Sequence, residues 1–133
     1  MRIEVLNTRD RRVQEDAARL ARKLAREYKL ARTTVNLVLV GDREMRRMNR
    51  RFRKRDRTTD VLSFPVDERD PSSRTRLLGE VYVSRERARV QGREYGTGYH
   101  GEIRRLALHG ILHLLGLEHR EMEEVYARFL EER

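Results

Sequence analysis

The sequence predicts an α+β fold in a single domain over residues 1–133, with a small mixed β-sheet of about four strands packed with about five helices. The length of 133 residues suits one hydrophobic core. Segments with alternating or β-branched apolar residues are interspersed with segments whose apolar residues recur at helical spacing. Strands and helices do not alternate strictly, which favours helices packed on a mixed sheet over a doubly wound α/β fold.

The first half of the chain predicts two strands and two helices. Residues 2–6 alternate in polarity, as a short strand does, and residues 11–29 form an amphipathic helical pattern. The β-branched stretch 34–40 predicts a second strand, after which Asp42 is expected to cap a helix. The apolar residues expected to face inward from that helix are Met45, Met48 and Phe52.

The second half predicts two more strands and three helices. Residues 60–65 read as a short strand that ends at a proline and lies at a sheet edge, followed by a polar loop over 67–76. A strand over 78–83 leads into a helix that Ser84 is expected to cap. The predicted helices of this half cover 85–94, about 99–115 and about 120–131, with Gly116 as the residue that ends the second of them.

The charge composition predicts a polyanionic partner. Lysine and arginine number 31 against 22 acidic residues, for a net charge of +9. A surplus of this size in a small domain favours nucleic acid, although a solvated arginine-rich surface is the alternative. The surplus is concentrated in residues 43–57, which contain nine cations and only two acidic residues, Glu44 and Asp56. The candidate RNA contacts in this basic segment are Arg50, Arg51, Lys54, Arg55 and Arg57.

Two absences narrow the class of protein that the sequence predicts. The chain has no cysteine, so any zinc site must use histidine or carboxylate ligands. No apolar run approaches the roughly 20 residues that span a bilayer, and the first residues lack the apolar core of a signal peptide. We therefore expect a cytoplasmic protein without a membrane partner.

Three of the four histidines fall within eleven residues and predict a metal site. His109 and His113 are four residues apart and lie on one face of a helix. Gly116 permits a left-handed turn, after which the chain can double back and bring His119 to the same point. Three imidazoles with an open fourth position are the ligand set of a catalytic zinc ion, one per chain. The alternative is a buried helix that happens to contain two histidines, with a third in a surface loop.

The histidine spacing matches that of the metzincin proteases, with one difference that concerns the reaction. In those proteases the residue after the first histidine is the glutamate that acts as general base, whereas this chain has Gly110 there. The difference argues against peptide hydrolysis. Glu102 and Glu118 are candidates to orient the metal ligands, and a structural or solvated role is the alternative for each.

Three motifs together resemble the YbeY family of bacterial rRNA maturation factors. Residues 52–65 (FRKRDRTTDVLSFP) resemble the family's basic segment, which ends in Val-Leu-Ser-Phe-Pro. Residues 78–84 (LGEVYVS) and 109–119 (HGILHLLGLEH) resemble its strand and its histidine motif. The departures are conservative: Glu80 and Glu118 stand where the family has aspartate.

This resemblance implies a single-strand-specific endoribonuclease that matures the 3′ end of 16S rRNA and acts in ribosome quality control. It implies Zn²⁺ on His109, His113 and His119, on a metzincin-like zinc helix, and it makes Arg53 the position that matches the family's functional arginine. RNA of the small ribosomal subunit is the implied substrate, and a small-subunit ribosomal protein and an Era-type GTPase are implied partners. The rival functions are an rRNA-binding assembly factor with structural zinc and a protease-like metal hydrolase. The nucleophile, water or the RNA 2′-hydroxyl, stays open.

Overall fold

Within residues 1–131, the chain forms a four-stranded mixed sheet with five helices, as the sequence predicts. The structure, a computed structural model, describes residues 1–131. In chain order the elements are β1 (Arg2–Leu6), α1 (Arg11–Glu27), β2 (Thr33–Val40), α2 (Asp42–Arg53), β3 (Val61–Arg69), β4 (Arg76–Ser84), α3 (Arg85–Glu94), α4 (Gly98–Leu114) and α5 (His119–Glu131). Within residues 1–131, no helix is both long enough and apolar enough to cross a membrane.

The strand order is β1-β2-β4-β3, which leaves β3 at one edge of the sheet. β1, β2 and β4 run parallel, whereas β3 pairs with β4 in the antiparallel direction. Pro65 therefore lies in an edge strand, as predicted, because a central strand would need the backbone N–H that proline lacks.

The two faces of the sheet pack against different helices because side chains alternate along each strand. Val35, Leu37 and Leu39 of β2 point into the main core with α1, α4 and α5. The opposite face forms a smaller cluster in which Met45 of α2 packs with Leu62 of β3. α4 is buried along much of its length, between the sheet and the helices around it.

Three details of the prediction are wrong. Asp42 is the first residue of α2 and does not cap it, because its carboxylate accepts hydrogen bonds from Ser84 Oγ at 2.5 Å and Thr58 Oγ1 at 3.2 Å. Phe52 is 57% exposed, since it lies near the end of α2 beside the edge strand, where no further strand covers it. The predicted loop 67–76 is shorter, spanning 70–75, because β3 extends to Arg69 and β4 begins at Arg76.

Of the three helix ends that the sequence predicted from single residues, those at Ser84 and Gly116 are confirmed. Ser84 caps α3 by accepting a hydrogen bond from the backbone N–H of Arg87 at 3.2 Å. Gly116 follows the end of α4 with a φ of +78°, a left-handed conformation that a residue with a Cβ resists. The N–H of Gly116 donates to the carbonyl of His113 at 3.0 Å, and Leu117 donates to Leu112 at 3.2 Å. These bonds turn the chain from α4 towards α5.

Candidate active site

The C-terminal half of α4 lies against the edge of the sheet at Gly110. A Cβ built on Gly110 would lie 2.4 Å from Val81 Cγ1 and 2.9 Å from Ser63 Oγ. The carbonyl of Gly110 accepts a hydrogen bond from Ser63 Oγ at 3.0 Å. Only glycine permits this close approach, which holds the preceding and following turns of α4 beside β3.

His109 and His113 converge as predicted from their spacing. Their Nε2 atoms are 3.0 Å apart, with the rings edge to face at 4.5 Å between centroids. Two nitrogens bound to one tetrahedral zinc ion at about 2.05 Å would be roughly 3.3 Å apart. The pair therefore fits a shared metal ion with a change of a few tenths of an ångström.

The environment of His109 favours its neutral form. Burial lowers the pKa of His109, and the nearby His113 lowers it further. Neutral imidazole is the form that ligates metals. The Nδ1 atom of His109 is 2.5 Å from the hydroxyl of Tyr126 on α5, and burial raises the pKa of that hydroxyl to about 12.

His119 does not join the other two histidines in this structure. It is the first residue of α5, its side chain is 86% exposed, and its Nε2 lies 3.8 Å from Glu123 Oε1. Among residues 1–131, no three or more histidine, cysteine, aspartate or glutamate side chains are grouped closely enough to hold a metal ion. The three-histidine zinc centre stays a prediction, of which the structure contains two convergent ligands.

A cleft of about 690 Å³ joins the histidine pair to the basic segment. It follows the free edge of β3, with His109 and His113 on one side and the end of α2 on the other. The cations that line it are Arg53, Arg55 and Arg57. The Nη2 atom of Arg53 donates to the carbonyl of Ser63 at 3.0 Å, which holds its guanidinium at the edge of the strand. The other candidate RNA contacts, Arg50, Arg51 and Lys54, are exposed and outside the lining of this cleft.

The loop that contains Arg55 and Arg57 is tied to α2 by contacts that the sequence analysis did not predict. Asp56 accepts two hydrogen bonds from Arg46, at 3.0 and 3.2 Å, and this guanidinium lowers the pKa of Asp56. Asn49 Nδ2 donates to the carbonyl of Arg57 at 2.9 Å. Asp56 is an acidic residue within a run of cations, and this interruption could have predicted an ion pair between the loop and α2.

The two carboxylates proposed to orient the metal ligands have other partners. Glu102 is fully buried, and both of its oxygens accept hydrogen bonds from Arg105 at 2.7 Å. Glu118 is exposed, and its backbone N–H donates to Glu121 Oε1 at 3.1 Å. The partner of the Glu102 carboxylate is thus a residue of its own helix, Arg105. The residue that contacts His109 is Tyr126, which is 17 positions away in the sequence.

Comparisons with known proteins agree with this architecture. A family model described as Endoribonuclease YbeY matches residues 2–132. The chain is 41% identical over 102 residues to an Endoribonuclease YbeY of Persephonella marina. This alignment covers 77% of this chain and 67% of that protein. It is 43% identical over 109 residues to one of Myxococcus xanthus, covering 78% of this chain and 37% of the relative. For a relative from Aquifex aeolicus, 39% identical over 97 residues, the coverage is 73% of this chain and 63% of the relative.

The fold also has a solved counterpart. A solution structure of a Thermotoga maritima protein superposes with a TM-score of 0.68 at 28% sequence identity. The match covers 98% of this chain and 87% of the other. The chain thus shares its fold with a solved protein over nearly its whole length, whereas it spans 63% of the Aquifex relative and 37% of the Myxococcus relative.

Proposed function

The chain belongs to the YbeY endoribonuclease family, and on this basis we propose that it cleaves single-stranded RNA with one Zn²⁺ ion held by His109, His113 and His119. The observation that carries the proposal is the shared cleft. Two convergent imidazoles and three arginines line the same groove of about 690 Å³. Metal-ligand chemistry and phosphate-binding chemistry in one groove are what phosphodiester cleavage requires.

Arg53 is the residue that we assign to the reacting phosphate. One of its five N–H donors is used on the carbonyl of Ser63, at 3.0 Å, and this bond orients the planar guanidinium. The donors that remain can stabilise the negative charge that develops on the phosphate oxygens in the transition state. Arg55 and Arg57 line the same groove and would hold the flanking backbone of the RNA.

The Nε2 atoms of His109 and His113, which are 3.0 Å apart, would hold the metal ion. His119, at the start of α5, would have to turn from its exposed position to be the third ligand. When bound, the ion would polarise a phosphodiester oxygen or a water molecule and stabilise negative charge.

The environment of Gly110 weighs against the protease alternative. A metzincin-like general base would have to stand at this position, yet a single Cβ there would already lie 2.4 Å from Val81. A glutamate cannot fit without displacing α4. We propose RNA of the small ribosomal subunit as the substrate, at the 16S rRNA 3′ end, and the ribosomal protein and Era-type GTPase partners follow from the family resemblance alone.

The test measures metal content and cleavage on the same protein. We expect about one zinc ion per chain, cleavage of a single-stranded RNA, loss of cleavage with a chelator and recovery with added zinc. His113→Ala should still bind RNA but lose cleavage. His100→Ala is the matched control, because His100 pairs with Asp10 at 2.8 Å and is not among the cleft residues.

Each rival function predicts a different result. Cleavage that is unaffected by chelator, or His113→Ala cleaving like the parent, would reject the metal mechanism. A parent that binds RNA and zinc but cleaves nothing would be an assembly factor. Peptide turnover that RNA does not inhibit would identify a protease. Cyclic phosphate ends on the RNA products would identify the 2′-hydroxyl as the nucleophile.

A further inference from the structure

The one polar contact between the histidine pair and α5 that the structure describes is made by Tyr126. Its hydroxyl lies 2.5 Å from His109 Nδ1, and the two rings are nearly parallel, with an interplanar angle of 12° and centroids 6.2 Å apart. The ring of Tyr126 packs against the main core, whereas His113, the other member of the pair, is exposed. The contact therefore joins the more buried candidate ligand to a different helix.

This contact determines which nitrogen of His109 faces His113. A neutral imidazole has one N–H and one lone pair, and the hydrogen bond of one nitrogen decides the role of the other. With Nδ1 held by Tyr126, Nε2 is the atom that faces His113. Metal-ligating histidines in proteins almost always donate their second ring N–H to a neighbouring group, which fixes the tautomer and the orientation of the ring. For Nε2 of His109 to offer its lone pair, Nδ1–H would donate to the Tyr126 oxygen.

The same residue links this histidine to the third candidate ligand. Tyr126 follows His119 by seven residues on α5, which is nearly two helical turns. The two side chains therefore differ in direction by only about 20° around the helix and are about 10 Å apart along its axis. Both side chains therefore lie on one side of α5. A bond from Tyr126 to His109 holds that side against α4, and so limits how far His119 can be from the pair.

We propose that Tyr126 is the positioning residue of the metal site: its hydroxyl fixes His109 with Nε2 towards the ion and holds α5 so that His119 can complete the ligand set. The proposal rests on the proposed function in that it takes these histidines as the ligands. It assigns to Tyr126 the orienting role that the sequence analysis gave to Glu102 and Glu118, neither of which has a described contact with a histidine.

The test is the affinity for Zn²⁺, measured by competition with a chromogenic chelator on the full chain. Tyr126→Phe removes the hydroxyl and keeps the ring, and we expect its zinc affinity to fall by about 10- to 100-fold. Tyr82→Phe is the matched control, since it removes a hydroxyl that donates to Glu80 at 3.3 Å on the other face of the sheet. Equal affinities in Tyr126→Phe and the parent would overturn the proposal.

A second measurement does not depend on the folding of a variant. Long-range ¹H–¹⁵N spectra of the zinc-loaded parent report which nitrogen of His109 has the proton. Nδ1 protonated with Nε2 bound to zinc supports the proposal, and the reverse tautomer overturns it. A parent that binds no zinc would instead reject the metal mechanism of the proposed function, so the two failures are distinguishable.

Discussion

Gly110 lies so close to the sheet that an alanine in its place must move α4. The added Cβ would stand 2.4 Å from Val81 Cγ1, against the 3.5–4.0 Å or so that two carbon atoms prefer. Val81 is fully buried and β-branched, so it has no alternative position to adopt. The helix must therefore withdraw by roughly 1 Å, at a cost of about 1–3 kcal/mol in the free energy of unfolding.

A second glycine of α4 provides the matched control. A Cβ on Gly101 would meet Thr97 Cβ at 3.4 Å and Arg104 Nη2 at 3.7 Å, which are ordinary contacts. Gly101→Ala should therefore stabilise the protein by up to about 1 kcal/mol through helix propensity alone. Because Gly110→Ala gains the same propensity, the difference between the two variants isolates the overpacking against the sheet.

Urea and thermal unfolding of both variants measure this difference. We expect Tm values about 4–12 °C apart, with Gly110→Ala the lower of the two. Adding Val81→Ala to Gly110→Ala should recover part of the loss, with a coupling of about 0.5–3 kcal/mol between the two sites. If Gly110→Ala is as stable as Gly101→Ala, α4 does not lie against Val81 at this position, and a glutamate could fit there.

Three further predictions concern the cleft and its charges. Arg53→Ala should lower the rate of RNA cleavage by about 10²- to 10³-fold, as removal of a transition-state donor does, whereas Arg2→Ala, on β1 at the opposite edge of the sheet, should leave it unchanged. Arg55→Ala should reduce the slope of log binding constant against log salt concentration by about one, which Arg2→Ala should not do. Burial and then His113 lower the pKa of His109 below 6.5. As the pH falls, the unfolded chain therefore takes up this proton before the folded protein does. The metal-free protein should lose stability as the pH falls from 6.5 through the folded-state pKa of His109. His109→Gln should flatten that part of the plot of unfolding free energy against pH.

Each of these three predictions can be contradicted by a specific result. Equal cleavage rates for Arg53→Ala and the parent would remove Arg53 from the reaction. An unchanged salt slope would mean that Arg55 makes no phosphate contact. A stability curve that has the same shape with and without His109 between pH 5 and 7 would show that burial does not affect its titration.

Local patterns sufficed for much of the fold. β-branched and alternating residues marked the four strands, and helical spacing marked the five helices, because both patterns reflect which side of an element faces the core. The extension of β3 to Arg69 was missed because Asp67, Glu68 and Arg69 are polar and exposed, while the backbone makes the ladder. Phe52 was misplaced because the rule that apolar residues face inward presumes that a neighbouring element covers them.

For the site, the sequence by itself determined the convergence of His109 and His113, since a spacing of four residues on a helix leaves little choice of direction. Only the tertiary structure decided what surrounds this pair. The cleft arginines come from the end of α2 and the loop after it, more than 50 residues away, and Tyr126 comes from the next helix. The packing of Gly110 against Val81 likewise joins elements that are distant in the chain. Such contacts depend on strand order and helix docking, which the whole core decides and no local pattern contains.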